Sequence, residues 1–315
     1  MIVISEFMDQ TAVGRLRAEF DVRYEPSLVE QTTQLQAAVA AAQALIVRNR
    51  TQVDAALLAH APQLRVVGRL GVGLDNIDTA GCAARGIEVI AATGANANSV
   101  AEYVVCMAML LLRGAFTSSD AVVAGNWPRT KLYEGREARG KTLGLVGFGS
   151  IGQVSAKLAA SLGMRIVAHD PLLDDESTAW RKTGAKSRTL DQLLAEADVV
   201  SLHVPLTADT RHLLDAGRIA SIKRGAVLIN TSRGGVVDEG ALADALRSGH
   251  LAGAAVDVFE HEPLAAGSAF EDCPKLILTP HIAGLTQESN VRVSALIAKR
   301  VAERLRSERS RQNAA

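Results

Sequence analysis

The apolar run from Leu143 to Val146 leads directly into Gly147, Gly149 and Gly152, and behind these glycines apolar residues recur at Ile151, Val154, Leu158 and Leu162. An extended apolar run, a glycine turn and a period of 3.6 in direct succession predict a strand, a tight turn and a helix. Each glycine has its own physical reason. Gly147 permits the turn, Gly149 lets a pyrophosphate approach the backbone, and Gly152 lets the helix pack close to the strand. The helix start, at Ser150 and Ile151, offers unpaired N–H groups to phosphate oxygens. A second apolar run, Arg165 to His169, ends at Asp170. A carboxylate there accepts hydrogen bonds from an adenosine ribose and repels a 2′-phosphate, so the pattern predicts a mid-chain dinucleotide site that takes NAD rather than NADP.

With 315 residues and 48% hydrophobic content, the chain can bury two cores, and two domains is the expectation from length. Its 34 basic and 34 acidic side chains cancel, which removes the broad positive field that nucleic acid or an anionic membrane requires. Cys82, Cys106 and Cys273 are far apart, odd in number and without metal-like spacing. This suits thiols packed as small hydrophobes in a reducing cytoplasm, with no disulfide and no metal site. The N-terminus reads as a strand rather than a signal peptide, and the longest apolar patch, Tyr103 to Leu112, is too short to span a bilayer. A soluble, cytoplasmic protein is expected.

Strand and helix patterns alternate from the start. Ile2–Ile4, Ala44–Val47, Arg65–Val67 and Glu88–Ile90 read as buried strands, with amphipathic segments at Gln34–Ala42 and Val53–Leu58 between them. The rhythm restarts after the glycines with strands at Val199–Leu202, Ala226–Ile229, Ala254–Val256 and Leu276–Leu278. Ser99-Val-Ala-Glu102 reads as a capping box that opens a long helix through Tyr103, Cys106, Leu110 and Leu111. A final helix, Gln287 to Leu305, returns to the first unit, and the polar segment from Ser307 to Ala315 is expected to fray. The expected fold is α/β, with two doubly wound parallel-sheet domains. Residues 98–285 form a Rossmann NAD-binding domain inserted in a flavodoxin-like substrate domain of residues 1–97 and 286–315.

Doubly wound sheets bind ligands beyond the carboxyl ends of their strands. Three polar segments follow predicted strands: Asn230-Thr-Ser-Arg-Gly-Gly235, Asp257-Val-Phe-Glu-His-Glu-Pro263 and Thr279-Pro-His-Ile-Ala-Gly284. Singly, an arginine before two glycines or a histidine after a proline is as readily structural as functional. Together they supply what nicotinamide chemistry on a hydroxy acid needs. As hydride leaves the carbinol carbon, a base must take the hydroxyl proton and a guanidinium must hold the neighbouring carboxylate. His281 fits the base, Arg233 the clamp, and Glu262 the acid that fixes the imidazole tautomer.

These blocks, with Gly68-Arg-Leu-Gly-Val-Gly-Leu-Asp-Asn-Ile-Asp78, Asn96-Ala-Asn-Ser-Val-Ala-Glu102 and His203-Val-Pro-Leu-Thr207, resemble the D-isomer-specific 2-hydroxyacid dehydrogenases from about Ala44 to Leu305. The short forms similar to D-3-phosphoglycerate and sulfolactate dehydrogenases are the nearest in pattern. The resemblance implies the catalytic set Arg233, Glu262 and His281, with Glu262 preferred over Glu260 because it stands directly before proline. It implies that backbone N–H groups of Gly71, Val72 and Gly73 bind the substrate carboxylate as an anion-binding nest. It also implies that Asp257 holds the nicotinamide carboxamide and that His203, Val204 and Pro205 line the adenine side, although Val204 also reads as strand-end packing. Thr231, Ser232 and Gly284, within the matched blocks, complete the implied cofactor set.

Arg48 and Arg50 lie two positions apart at the end of the strand Ala44–Val47, on one side if the chain stays extended. A substrate with a second anionic group, 3-phosphoglycerate or 3-sulfolactate, would suit them; surface charge is the alternative. A hydroxypyruvate or glyoxylate reductase is a second reading, and an NAD-sensing corepressor is one of another class. A formate dehydrogenase is disfavoured, because that branch carries glutamine where Glu262 stands. Trp127 lies in the region that builds the family's dimer contact, so a homodimer is expected, with Trp127 as its anchor or packed within its own chain. Larger phosphoglycerate dehydrogenases carry a C-terminal serine-sensing domain; this chain ends after its last helix, so that feedback route is expected to be absent.

Overall fold

A computed structural model describes residues 1–114, 118–174 and 176–314. They fall into two compact units, Met1–Asn96 with Leu285–Ala315, and Ala97–Gly284.

The first unit is built on a five-stranded parallel sheet: β1 (Ile2–Ile4), β2 (Val22–Tyr24), β3 (Ala44–Val47), β4 (Val66–Arg69) and β5 (Glu88–Ala91), in the order β2-β1-β3-β4-β5. This is the flavodoxin-like order. Because side chains alternate across a strand, both faces are apolar. Ile2, Ile4, Ile46 and Val66 pack under the helices Gln10–Arg17 and Gln287–Ala314, while Val3, Leu45, Val47 and Val67 pack on the other face with residues of Thr32–Val39 and Ala55–Ala59. Gly68 marks the closest approach: a Cβ there would lie 2.7 Å from Ile297 and 2.9 Å from Val301, so only glycine lets the last helix reach β4.

The second unit holds β6 (Thr142–Val146), β7 (Arg165–His169), β8 (Lys186–Ser187), β9 (Val199–Leu202), β10 (Val227–Asn230), β11 (Gly253–Val256) and β12 (Leu276–Leu278). All pair in parallel in the order β12-β11-β10-β9-β6-β7-β8. The order reverses between β6 and β9, which makes that point the switch of a Rossmann sheet. Leu143, Leu145, Val199 and Ile229 face the helices Ala97–Arg113 and Ser150–Ser161; Val146, Val200, Leu228 and Val256 face the other side.

Two local expectations are corrected. The long helix begins at Ala97, so Ser99 is its third residue, 5% exposed, and no cap. A hydroxyl packed inside the first turn is not the half-extended residue that a capping box needs. The C-terminal segment expected to fray continues as helix to Ala314. Arg304 pairs with Glu88 at 2.9 Å and with Glu308 one turn on, which ties the polar end to the sheet and to itself.

Candidate active site

The glycine turn follows β6 at the switch point. Gly147 has φ +92°, and a Cβ on it would lie 2.5 Å from the His203 carbonyl oxygen and 3.1 Å from Val204, on the segment leaving β9. A Cβ on Gly152 would lie 2.5 Å from the Gly147 carbonyl. Around Gly149 there is nothing within 4 Å of that position, and the helix Ser150–Ser161 starts there without a side-chain cap. Its first N–H groups are therefore left for an outside acceptor. Phe148, fully buried, stacks on Trp180 with centroids 4.8 Å apart and holds the turn from beneath.

Asp170, just past β7, accepts the Phe148 N–H at 2.8 Å and the Leu172 N–H at 3.0 Å. Each carboxylate oxygen has two acceptor sites, so both retain capacity for a hydroxyl. His203 is held by Ser201 at 3.0 Å through Nε2, while Nδ1 is buried without a partner. Burial pushes this imidazole down to about 4. Thr231 Oγ1 is likewise buried and unpartnered, whereas the Ser232 hydroxyl donates to Asn230 Oδ1 at 2.8 Å. Open space over Gly149, uncapped helix amides and two orphaned polar groups make a cradle that fits a dinucleotide. Val204 packs on the core and Pro205 is exposed.

Three loops leave the neighbouring strands β10, β11 and β12. Arg233 follows β10, half-buried, in a turn that Asn230 organises by accepting the Ser232 N–H at 3.0 Å and donating to the Arg233 carbonyl at 3.2 Å. A Cβ on Gly234 would fall on the Phe259 carbonyl, so glycine lets the Arg233 loop lie against the β11 loop. Asp257, 1% exposed, accepts the Ile282 and Ala283 N–H groups, each at 2.8 Å, and the Thr279 hydroxyl at 2.5 Å; Tyr103 meets that hydroxyl at 2.6 Å. The loop from Thr279 to Gly284 is thus wound around Asp257, and its carboxylate has one acceptor site left for a carboxamide.

His281 stands in the left-handed region, φ +57°, with its N–H donated to the Asp257 carbonyl at 2.8 Å. Its Nδ1 lies 2.8 Å from Glu262 Oε2, while Glu262 Oε1 accepts the Phe259 N–H at 3.1 Å. A carboxylate at Nδ1 fixes the proton there and leaves Nε2 as the basic nitrogen. The competing acid, Glu260, pairs instead with His212 at 2.8 Å.

In the first unit, Gly71 is buried after β4, with Val72 and Gly73 half-buried behind it; the Arg69 guanidinium lies where a Gly71 side chain would be. Arg48 leaves the end of β3, its guanidinium 5.9 Å from the Phe7 ring centre and donating to Asn290 Oδ1 at 2.5 Å. Burial lowers its affinity for the proton and Glu6 opposes that shift. Arg50 points elsewhere: it pairs at 3.0 Å with Glu30, both side chains more than half exposed. Sequence reasoning did not single out Asn230, Gly234, Tyr103, Arg69 or Glu6. Glu6 and Asn230 carried the same signal as Arg233, a polar residue at a strand's carboxyl end.

The family model described as D-isomer specific 2-hydroxyacid dehydrogenase, NAD binding domain, matches residues 105–283. An (S)-sulfolactate dehydrogenase of Chromohalobacter salexigens is 52% identical over 93% of this chain and 94% of that one. A D-3-phosphoglycerate dehydrogenase of Mycobacterium leprae is 38% identical over 96% of this chain, which spans 56% of that longer enzyme. The solved D-lactate dehydrogenase from Aquifex aeolicus, complexed with NAD and lactic acid, superposes with a TM-score of 0.82 at 27% identity, covering 98% of this chain and 96% of that one. The chain belongs to the D-isomer-specific 2-hydroxyacid dehydrogenases. It is an NAD-dependent oxidoreductase that acts on the CH–OH group of 2-hydroxy acids. No helix among the described residues is long and apolar enough to cross a membrane.

Proposed function

We propose that this enzyme interconverts 3-sulfolactate and 3-sulfopyruvate. Bound NAD would supply the acceptor for the hydride of the carbinol carbon. His281 Nε2 takes the hydroxyl proton, Glu262 keeps the imidazole in the required tautomer, and the Arg233 guanidinium holds the carboxylate and the oxygen beside the reacting carbon. Backbone amides of Gly71, Val72 and Gly73 also serve the carboxylate. Gly147, Gly149, Ser150, Ile151 and Gly152 receive the pyrophosphate, and Asp170 the adenosine ribose. His203, Val204 and Pro205 lie beside the adenine, while Thr231, Ser232, Asp257 and Gly284 serve the nicotinamide end.

The observation that carries the substrate assignment is Arg48, a half-buried guanidinium held between an aromatic ring and a neutral amide, with no ion pair to a carboxylate among the described residues. An arginine so held is prepared for a second anionic group. Arg50, paired with Glu30, is left out of this role. The stereochemical labels agree as well. Sulfur outranks oxygen in the priority rules, so an (S)-sulfolactate has the spatial arrangement of a D-2-hydroxy acid such as D-3-phosphoglycerate.

The test is a panel of 2-keto acids with NADH: sulfopyruvate, phosphohydroxypyruvate, hydroxypyruvate, glyoxylate and pyruvate. Sulfopyruvate is expected to have the highest kcat/KM, and Arg48→Ala to lower it at least tenfold more on sulfopyruvate and phosphohydroxypyruvate than on pyruvate. Equal losses across the panel would remove Arg48 from the substrate. A preference for phosphohydroxypyruvate would replace the sulfonate by a phosphate, and a preference for hydroxypyruvate or glyoxylate would make the enzyme a reductase of those acids. NADH binding without turnover on any of them would leave only a sensing role.

We also infer a homodimer in a reducing cytoplasm. Trp127 is 77% exposed, near Val123 and Tyr133 in sequence, which are exposed to a similar degree, and the three cysteines are free thiols. Large exposed apolar side chains in one short segment suit a partner surface. Gel filtration of Trp127→Ala is expected to show a smaller species; unchanged elution removes Trp127 as the anchor.

A further inference from the structure

Glu6 takes no part in the chemistry above, yet it is a carboxylate 5% exposed at the carboxyl end of β1. Its Oε1 accepts the backbone N–H groups of Arg48 at 2.8 Å and Thr51 at 3.0 Å, and its Oε2 accepts that of Arg50 at 3.2 Å. Three amides of one loop thus converge on one buried carboxylate. The far end of the same loop is tied again: Thr51 Oγ1 meets Ser5 Oγ at 2.9 Å, and Asn76 Nδ2 donates to the Thr51 carbonyl at 2.6 Å. A buried charge needs such donors, and loop amides turned inward need such an acceptor. The arrangement removes the freedom of the backbone from which the Arg48 side chain departs. What remains is the side chain itself, laid between Phe7 and Asn290.

We propose that Glu6 is a positioning residue for substrate selectivity: by holding the Arg48–Thr51 backbone it presents the Arg48 guanidinium to the second anionic group of the substrate. This rests on the reading of Arg48 given above. A long flexible side chain loses more freedom on binding when its own backbone is mobile, so fixing the loop favours substrates that engage Arg48 over those that do not.

Glu6→Gln keeps the size and one acceptor oxygen but sets an NH2 group against the Arg50 N–H. The ratio of kcat/KM for sulfopyruvate over pyruvate is expected to fall at least fivefold. In the Glu6→Gln/Arg48→Ala double variant the Glu6 change should add less than twofold to the loss already caused by Arg48→Ala, because it acts through that side chain. If Glu6→Gln does not fold, Glu6→Asp, which keeps the charge and shortens the reach, is read by the same ratio. An unchanged ratio, or independent multiplication of the two losses, overturns the proposal. A selective loss in Arg48→Ala without one in the Glu6 variants sinks this inference alone; no selective loss in Arg48→Ala sinks the reading beneath it.

Discussion

His281 Nδ1 and Glu262 Oε2 are 2.8 Å apart, brought together by loops that follow the adjacent strands β12 and β11. Both side chains are about two-fifths exposed, 42% and 37%, and a hydrogen-bonded pair so open to water contributes only about 0–1 kcal/mol to stability. Orientation of the imidazole is the larger consequence.

Removing the base and removing its orienting acid should therefore separate from stability. His281→Ala is expected to lower kcat by about two to four decades and Glu262→Gln by about one to two, each with a Tm within a few degrees of the parent. A Glu262→Gln enzyme with parental kcat would deprive the pair of its catalytic meaning.

Asp170 joins the glycine turn to the β7 end through the Phe148 amide. Its replacement by Ser removes the charge that repels a 2′-phosphate. The preference for NAD over NADP, taken as a ratio of kcat/KM, is expected to shrink about tenfold or more. Undiminished discrimination would assign cofactor choice to other residues.

His203 supplies a pH dependence of stability. Its imidazole sits at about 4 in the folded protein against an ordinary 6.5, so between these values the unfolded chain binds a proton that the native one does not. The stabilisation is complete above pH 6.5 and is lost as pH falls towards 4. At pH 4.5 this amounts to about 2–3 kcal/mol, compared with neutral pH. Denaturant midpoints at pH 7 and pH 4.5 should diverge less in His203→Gln than in the parent; equal divergence would mean that the ring is protonated in place.

Strands buried on both faces were legible where they are apolar without interruption: Ile2–Ile4 and Ala44–Val47 have the bounds their composition predicts. β2 and β8 were not, since Val22-Arg-Tyr24 and Lys186-Ser187 are short edge strands with exposed residues and no apolar run. Arg233 and His281 stood out because each follows a recognisable strand. Glu6 did too, but its partners are backbone amides more than forty residues away, and no local pattern announces a carboxylate that serves the main chain. Gly234 was visible as a glycine; that its freedom is needed by the Phe259 carbonyl is a fact of packing alone.

The seat that Gly68 provides for Ile297 and Val301 has a consequence for biosynthesis. One side of the first sheet is covered in part by the helix Gln10–Arg17 and completed only by the helix Gln287–Ala314, which follows the inserted unit in the chain. The inserted unit can therefore fold before the first is complete, and until Ile297 and Val301 arrive part of the face over β4 stays open, apolar surface of the kind that makes a partly folded chain prone to aggregation.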